Sequence, residues 1–335
     1  MSPRGRLRTT LVGAVLVASC GAPSAHVVGP LENVAPPATT ATTTSTSLAA
    51  TTTTSVAPPA VDLTADEATL APGTVLVTLS VGGRTRSAVV HVPPKTPTAP
   101  LPLVLALHGS TSNGVQMERK TGFDALADRD GFIVAYPNGY PAGGGTIGSW
   151  NAGTCCDPAT TIGVDDVAFL DALINLLEGS YPVDPGRVYA VGHSNGAMMA
   201  QELGCRKSER IAAVVSVAGT LGITDCRPSE PVALLEVHGT ADSSVDVADA
   251  EHSVATWRQL DGCGEEDEPV AYGFVQTRIW SGCEGGTEVS LVEIVGAEHP
   301  WPGARTPAPD GKPTSTALDA TELAWSFLSA NTRAS

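Results

Sequence analysis

Aromatic side chains are scarce, at 4% of 335 positions, and charged ones make up only 16%. Basic residues are rarer than acidic ones: 19 Lys and Arg stand against 35 Asp and Glu, a formal net charge of −16. That balance excludes nucleic acid and other polyanions as expected partners, because their phosphates would meet a repulsive field. The apolar run near the start, "LVGAVLVAS", falls well short of the roughly 20 residues that a spanning helix needs. There is no Cys-x-x-Cys and no spaced His pair, so zinc is not expected, and no motif calls for a cofactor. Hydrophobic residues are plentiful at 42%, enough for a sizeable globular core.

The first residues read as an export signal. Arg4, Arg6 and Arg8 precede the short apolar run, which ends in "LVASC". This ending resembles the lipobox of bacterial lipoproteins and implies a signal peptide over 1–19 with Cys20 lipidated, a membrane anchor made of acyl chains. The alternative is a secretory peptide cleaved near "GAPSAH", with Cys20 discarded. From Gly21 to Val61 there is no Lys or Arg and a single acid, Glu32. The Thr/Ala/Pro-rich stretch over 20–61 has too few large apolar groups to offset its ordering entropy and reads as a disordered spacer. An extracytoplasmic location suits the remaining six cysteines, an even number. Proximity favours Cys205 with Cys226 and Cys263 with Cys283, leaving Cys155 and Cys156 as a vicinal pair; composition cannot choose among the 15 pairings.

One domain is expected over 62–330. "TVLVTLSVGGRTRSAVVHV" reads as two alternating strands joined at Gly82-Gly83, and "LPLVLALHG" as a buried parallel strand. Helix-like "RKTGFDALADRDG" then leads into the strand "FIVAYPNG". Past a long loop, "DDVAFLDALINLLEG" is helical, with acids at its positive end. "RVYAVG", "IAAVVSVAG", "VALLEVHG" and "EVSLVEIVG" follow as strands. The helices between and after them read as "GAMMAQELG", "DAEHSVATWRQLDG" and "STALDATELAWSFLSA". Such alternation indicates a three-layer α/β domain with a mostly parallel sheet.

"GHSNG" places Ser194 between Gly192 and Gly196. By composition alone G-x-S-x-G is expected about 0.3 times in such a chain, so the pattern decides little. Its position after a strand and before a helix is what makes it a nucleophile elbow, the turn found in α/β-hydrolases. A serine hydroxyl needs a general base, and in this fold the order is Ser, acid, His. His238 ends a strand too early in the chain and His252 falls within a helix, leaving His299 in "VGAEHPWPG". The acid is expected just past "VALLEVHG", at Asp242, with Asp246 as a rival better suited to capping the next helix. Oxyanion donors are expected at the backbone N–H of Asn195 and in "HGSTSNG", at Ser110 or Thr111.

"RTRSAVVHVPP", "TGFDALADRDGFIVAYPNG", "SWNAGTCCDP", "GVDDVAFLDALI", "YAVGHSNGAMMA", "HGTAD" and "HPWPG" together resemble the polyhydroxybutyrate depolymerase and feruloyl esterase family, from about Thr74 to Leu328. The resemblance implies an α/β-hydrolase fold, a triad of Ser194, Asp242 and His299, and hydrolysis of a small ester or an ester-bearing polymer. The long loop from Pro137 to Gly163 carries Tyr140 and Trp150, and Trp301 follows the base by two. These aromatic faces are the candidates for holding an acyl group or sugar ring. Asp165 and Asp166 read as helix caps. A peptidase of the same fold and a non-catalytic surface binding protein remain the alternatives.

Overall fold

The computed structural model describes residues 73–94 and 99–333. The signal peptide, Cys20, the spacer over 20–61 and the start of the expected domain lie outside the described residues. The chain opens with β1 (Gly73–Val81), β2 (Arg84–Val92) and β3 (Leu101–Leu107). Helices α1 (Gly114–Thr121) and α2 (Phe123–Asp130) lead to β4 (Ile133–Pro137), then the short pair β5 (Tyr140–Pro141) and β6 (Gly148–Ser149). Next come α3 (Ala159–Ile162), α4 (Asp166–Ser180), β7 (Val183–His193), α5 (Asn195–Arg206), β8 (Ala213–Val217) and β9 (Ala233–Gly239). The chain ends with α6 (Val247–Leu260), β10 (Val270–Tyr272), β11 (Val275–Trp280), β12 (Val289–Ile294) and α7 (Ala320–Ala330).

Ten strands form one sheet in the order β1-β2-β4-β3-β7-β8-β9-β12-β11-β10. The six from β4 to β12 in that order run parallel, and the antiparallel pairs lie at the two edges. The central strands are largely apolar and buried, as strands covered on both faces must be, with Ser216, Glu236 and His238 the buried polar exceptions in β8 and β9. Phe169, Leu170, Leu173 and Leu177 of α4, with Leu203 of α5, pack on one face; Phe123 of α2 with Ala324 and Leu328 of α7 pack on the other. Burying each large side chain contributes roughly 1.5–3 kcal/mol. β3 leads to β4 on one side and, after a crossover, the chain returns on the other side at β7. The carboxyl ends of β3 and β7 therefore meet at the point where the winding direction reverses, the place where open α/β sheets form a crevice.

The helix expected over "RKTGFDALADRDG" is two helices. Gly122 adopts a left-handed conformation (φ 66°), its N–H closes α1 on the Glu118 carbonyl, and α2 starts at the next residue. The hairpin of β10 and β11 was not expected; its strands carry little apolar periodicity and it leaves Tyr272 and Phe274 largely exposed. Disulfides join Cys155 to Cys156, Cys205 to Cys226, and Cys263 to Cys283, the last closing the base of that hairpin.

The long loop after β4 is held by polar groups at the strand ends. The Trp150 indole N–H donates to the His108 carbonyl (2.8 Å). Asn195 accepts from the Trp150 N–H (2.7 Å) and donates to the carbonyls of Trp150 and Cys155 (3.1 and 3.0 Å). The Gly139 N–H donates to His108 Nε2 (2.9 Å), so the ring proton sits on Nδ1, which donates to the Gly109 carbonyl (2.7 Å). His108 is a neutral, fully buried clamp, and burial lowers its pKa to about 4.

This depressed value has a sign. The unfolded chain binds the His108 proton near pH 6.5, whereas the folded chain does not until about pH 4. The contribution of this residue is therefore complete above pH 6.5 and lost as pH falls to 4, amounting at most to about 3 kcal/mol. In urea unfolding, the stability gap between the parent protein and a His108→Asn variant is expected to shrink by that order between pH 7 and pH 4. A gap independent of pH would show that the ring is not buried in its neutral form.

Candidate active site

Ser194 occupies the turn between β7 and α5 with φ 56° and ψ −124°, a conformation that L residues adopt at a cost. The turn is tight enough that a Cβ at Gly192 would strike the Gly196 carbonyl, and one at Gly196 would strike the carbonyls of Leu107 and His108. Glycine at both positions lets α5 start directly against the end of β3. That contact sets the hydroxyl above the helix's positive N-terminus.

His299 and Asp242 come from the loops after β12 and β9, which are adjacent parallel strands. Ser194 Oγ lies 2.9 Å from His299 Nε2, and His299 Nδ1 lies 2.7 Å from Asp242 Oδ2. The carboxylate's other oxygen accepts from the backbone N–H groups of Ser244 (2.8 Å) and Val245 (3.0 Å). Burial alone would raise the Asp242 pKa; the hydrogen bonds from His299 and these two amides outweigh it and hold the carboxyl below its ordinary value. The two loops are tied together: the Ala241 N–H donates to the Ala297 carbonyl (2.9 Å) and the Gly296 N–H to Thr240 Oγ1 (2.9 Å). Behind the acid, His238 donates from Nε2 to the Val245 carbonyl (3.0 Å).

His193, beside the nucleophile, donates from Nε2 to the His299 carbonyl (3.0 Å), which pins the loop carrying His299. Its Nδ1 is therefore an acceptor and faces Lys120 Nζ at 3.4 Å. Burial first, then the field of Lys120, pushes the His193 pKa well below the ordinary value. Sequence reasoning missed both residues; "ERKTG" and "GHS" contain no spacing signal that links them.

Ser194 and His299 open into a cavity of about 480 Å³. Its walls include Ser110, Thr111, Lys120 and Trp301, and the proline-rich strap from Thr306 to Asp310. Thr111 has a left-handed backbone (φ 57°), and Asn195, as the first residue of α5, has an N–H with no acceptor inside the helix. A larger cavity of about 660 Å³ lies between α1, α2 and α7, lined by Glu118, Asp124, Arg129 and Glu322, and contains no nucleophile paired with a base.

The expected aromatic platform is corrected. Trp150 is fully buried and holds the long loop in place, so neither of its faces is open to a substrate. Tyr140 is half-buried with its ring beneath Arg84 and does not line the cavity. Trp301 forms part of the wall, but it is only 1% exposed, its indole N–H donating to Thr321 Oγ1. Asp246 and Asp165 cap α6 and α4, and His252 is exposed on α6. Asp166 is buried in an ion pair with Arg86 (2.6 Å) and also accepts from the Asn151 N–H, away from the cavity.

The profile of the family described as Esterase PHB depolymerase matches residues 86–226. The protein described as "Putative esterase NocK" from Nocardia uniformis subsp. tsuyamanensis is 32% identical, covering 90% of this chain and 91% of its own length. Feruloyl esterase C of Emericella nidulans is 30% identical over 70% of this chain and 80% of its own. Feruloyl esterase B of Piromyces equi is also 30% identical, but the match spans only 39% of that enzyme. Among solved structures, the acetyl xylan esterase from Aspergillus awamori superposes with a TM-score of 0.57 at 16% identity, over 73% of this chain and 94% of that one. A thermostable esterase superposes at 0.53, over 78% and 63%, respectively. At those identities the likeness establishes the α/β-hydrolase fold. With a relative matched along nine-tenths of both chains and the family profile spanning β2 through β8, the chain belongs to the Esterase PHB depolymerase family.

Proposed function

We propose that this esterase is a serine carboxylic-ester hydrolase in which Ser194, His299 and Asp242 act as a triad through an acyl-enzyme. The observation that carries the reading is the unbroken hydrogen-bonded row from the Asp242 carboxylate through His299 to the Ser194 hydroxyl, at the mouth of a cavity. Ser194 Oγ attacks the ester carbonyl while His299 Nε2 takes its proton. The backbone N–H of Asn195, with that of Ser110 or Thr111, receives the developing oxyanion. His299 then returns the proton to the departing alcohol. A water, deprotonated by the same nitrogen, attacks the acyl carbonyl and frees the acid and the serine. Asp242 keeps the Nδ1–H tautomer and stabilises the imidazolium.

The substrate is a carboxylic ester of the feruloyl, acetyl-polysaccharide or hydroxyalkanoate type, either small or borne on a polymer. The names of the relatives support that range. The arginine-led apolar start and "LVASC" support export, with lipid attachment at Cys20 holding the protein at an extracytoplasmic membrane surface.

Ser194→Ala is expected to lower turnover of 4-nitrophenyl acetate by roughly 10⁴-fold or more and to abolish labelling by a fluorophosphonate, with little change in melting temperature. Retained turnover would refute the mechanism; a folded parent protein that does not label would point to a non-catalytic binding module. Asp242→Asn is expected to cut kcat by roughly 10³- to 10⁴-fold, because the amide favours the wrong imidazole tautomer. For the anchor, fractionation of expressing bacterial cells should move the protein from membrane to soluble fractions when Cys20 is changed to Ala, and membrane association that survives the change would remove lipidation from the account.

A further inference from the structure

Lys120 is the last basic residue of α1 and lines the cavity into which Ser194 opens. Its ammonium donates one of its three protons to His193 Nδ1 (3.4 Å). No carboxylate lies within ion-pair distance of it among the described residues, whereas most other described basic side chains have such a partner. Lys120 is half-buried, and burial lowers its pKa; Asp310, on the strap across the cavity, opposes that shift only through its field. Asp310 Oδ1 is engaged by the Lys312 N–H (3.2 Å). Arg119 lines the same cavity.

The ammonium sits close to the chemistry. His193 Nδ1, its partner, lies beside Gly109, where an added Cβ would stand 3.2 Å from that nitrogen and 3.3 Å from Ser194 Cβ. Ser110 and Thr111 follow Gly109 directly. An ammonium with two donors unengaged among the described residues thus shares a cavity wall with the nucleophile, in a chain whose overall charge is −16. Burying a cation without a counter-ion costs stability, and an anion in the cavity would offset that cost.

We propose that Lys120 is a specificity-determining residue that binds a carboxylate carried by the substrate, so that esters bearing a free carboxylate are hydrolysed in preference to neutral ones of the same size. The proposal rests on the esterase reading above and names a chemical class within its substrate range. A hydroxyalkanoate oligomer with its free acid end and an ester on an acidic sugar both present such a group, in each case on the alcohol side of the scissile bond.

Two matched pairs test it. The first varies the acyl part, mono-4-nitrophenyl glutarate against 4-nitrophenyl valerate. The second varies the alcohol part, 4-carboxyphenyl acetate against its methyl ester. In the parent enzyme, kcat/KM is expected to favour the carboxylate in at least one pair by about tenfold or more. Lys120→Met should collapse that ratio towards one, chiefly through KM, and Lys120→Arg should retain most of it. Which pair responds assigns the acid to the acyl or the alcohol side. A parent ratio near one in both pairs overturns the proposal. So does a Lys120→Met variant whose rates on both members fall equally, because the lysine would then act only through His193. Calorimetric titration of monomethyl glutarate reads the site without turnover. Heat of binding seen with Ser194→Ala and lost in the Ser194→Ala/Lys120→Met double variant supports the anion site even if the triad mechanism fails. Heat that persists in the double variant counts against it.

Discussion

The closeness of two backbones underlies everything else in this molecule. The first turn of α5 rests against the carbonyls of Leu107 and His108 at the end of β3, with room for nothing larger than hydrogen at Gly196, and Gly192 faces the Gly196 carbonyl in the same way. This contact forces Ser194 into its left-handed conformation. It also brings the helix's unsatisfied amide ends beside the loop from Gly109 to Thr111. The cost in local conformation is offset by buried layers on both faces of the sheet.

Around that contact the polar groups are arranged so that each histidine has one defined proton position. Burial, helped by the field of neighbouring cations, keeps His108 and His193 neutral. Their ring protons go to the carbonyls of Gly109 and His299. Neither is placed to accept a proton from Ser194 Oγ; each holds a strand-end loop still. His299, by contrast, has its Nδ1 towards a carboxylate and its Nε2 towards the nucleophile. Three histidines within one region thus have three different surroundings, and the surroundings assign the work.

Much of this was legible from residue order because it follows local rules. The parallel strands are predominantly apolar runs, and Ser194, Asp242 and His299 each stand just past one of them. The strand ends converge whatever the details of packing. Tyr140 and Trp150 were misread because aromatic content on a long loop carries no information about facing. Trp150 turns inward because its indole N–H finds the His108 carbonyl, a partner 42 positions away. Lys120 and the proline strap escaped notice for the complementary reason. A lysine in a helix's last turn is ordinarily a solvated end, and only the fold closing the segment after His299 over it makes it a cavity wall. Gly122 was passed over within a helical pattern because a glycine there is tolerated often enough to look harmless.

The acid and base loops, joined by the Ala241–Ala297 and Thr240–Gly296 bonds on neighbouring strands, form a single platform. The chain nevertheless travels a long way between them, through α6 and then out along the β10–β11 hairpin, whose base is closed by Cys263 and Cys283. Because β9 and β12 pair directly, the hairpin contributes nothing to the proton path. It is a stapled appendage on which length, sequence and surface character can be rewritten while the chemistry keeps its shape.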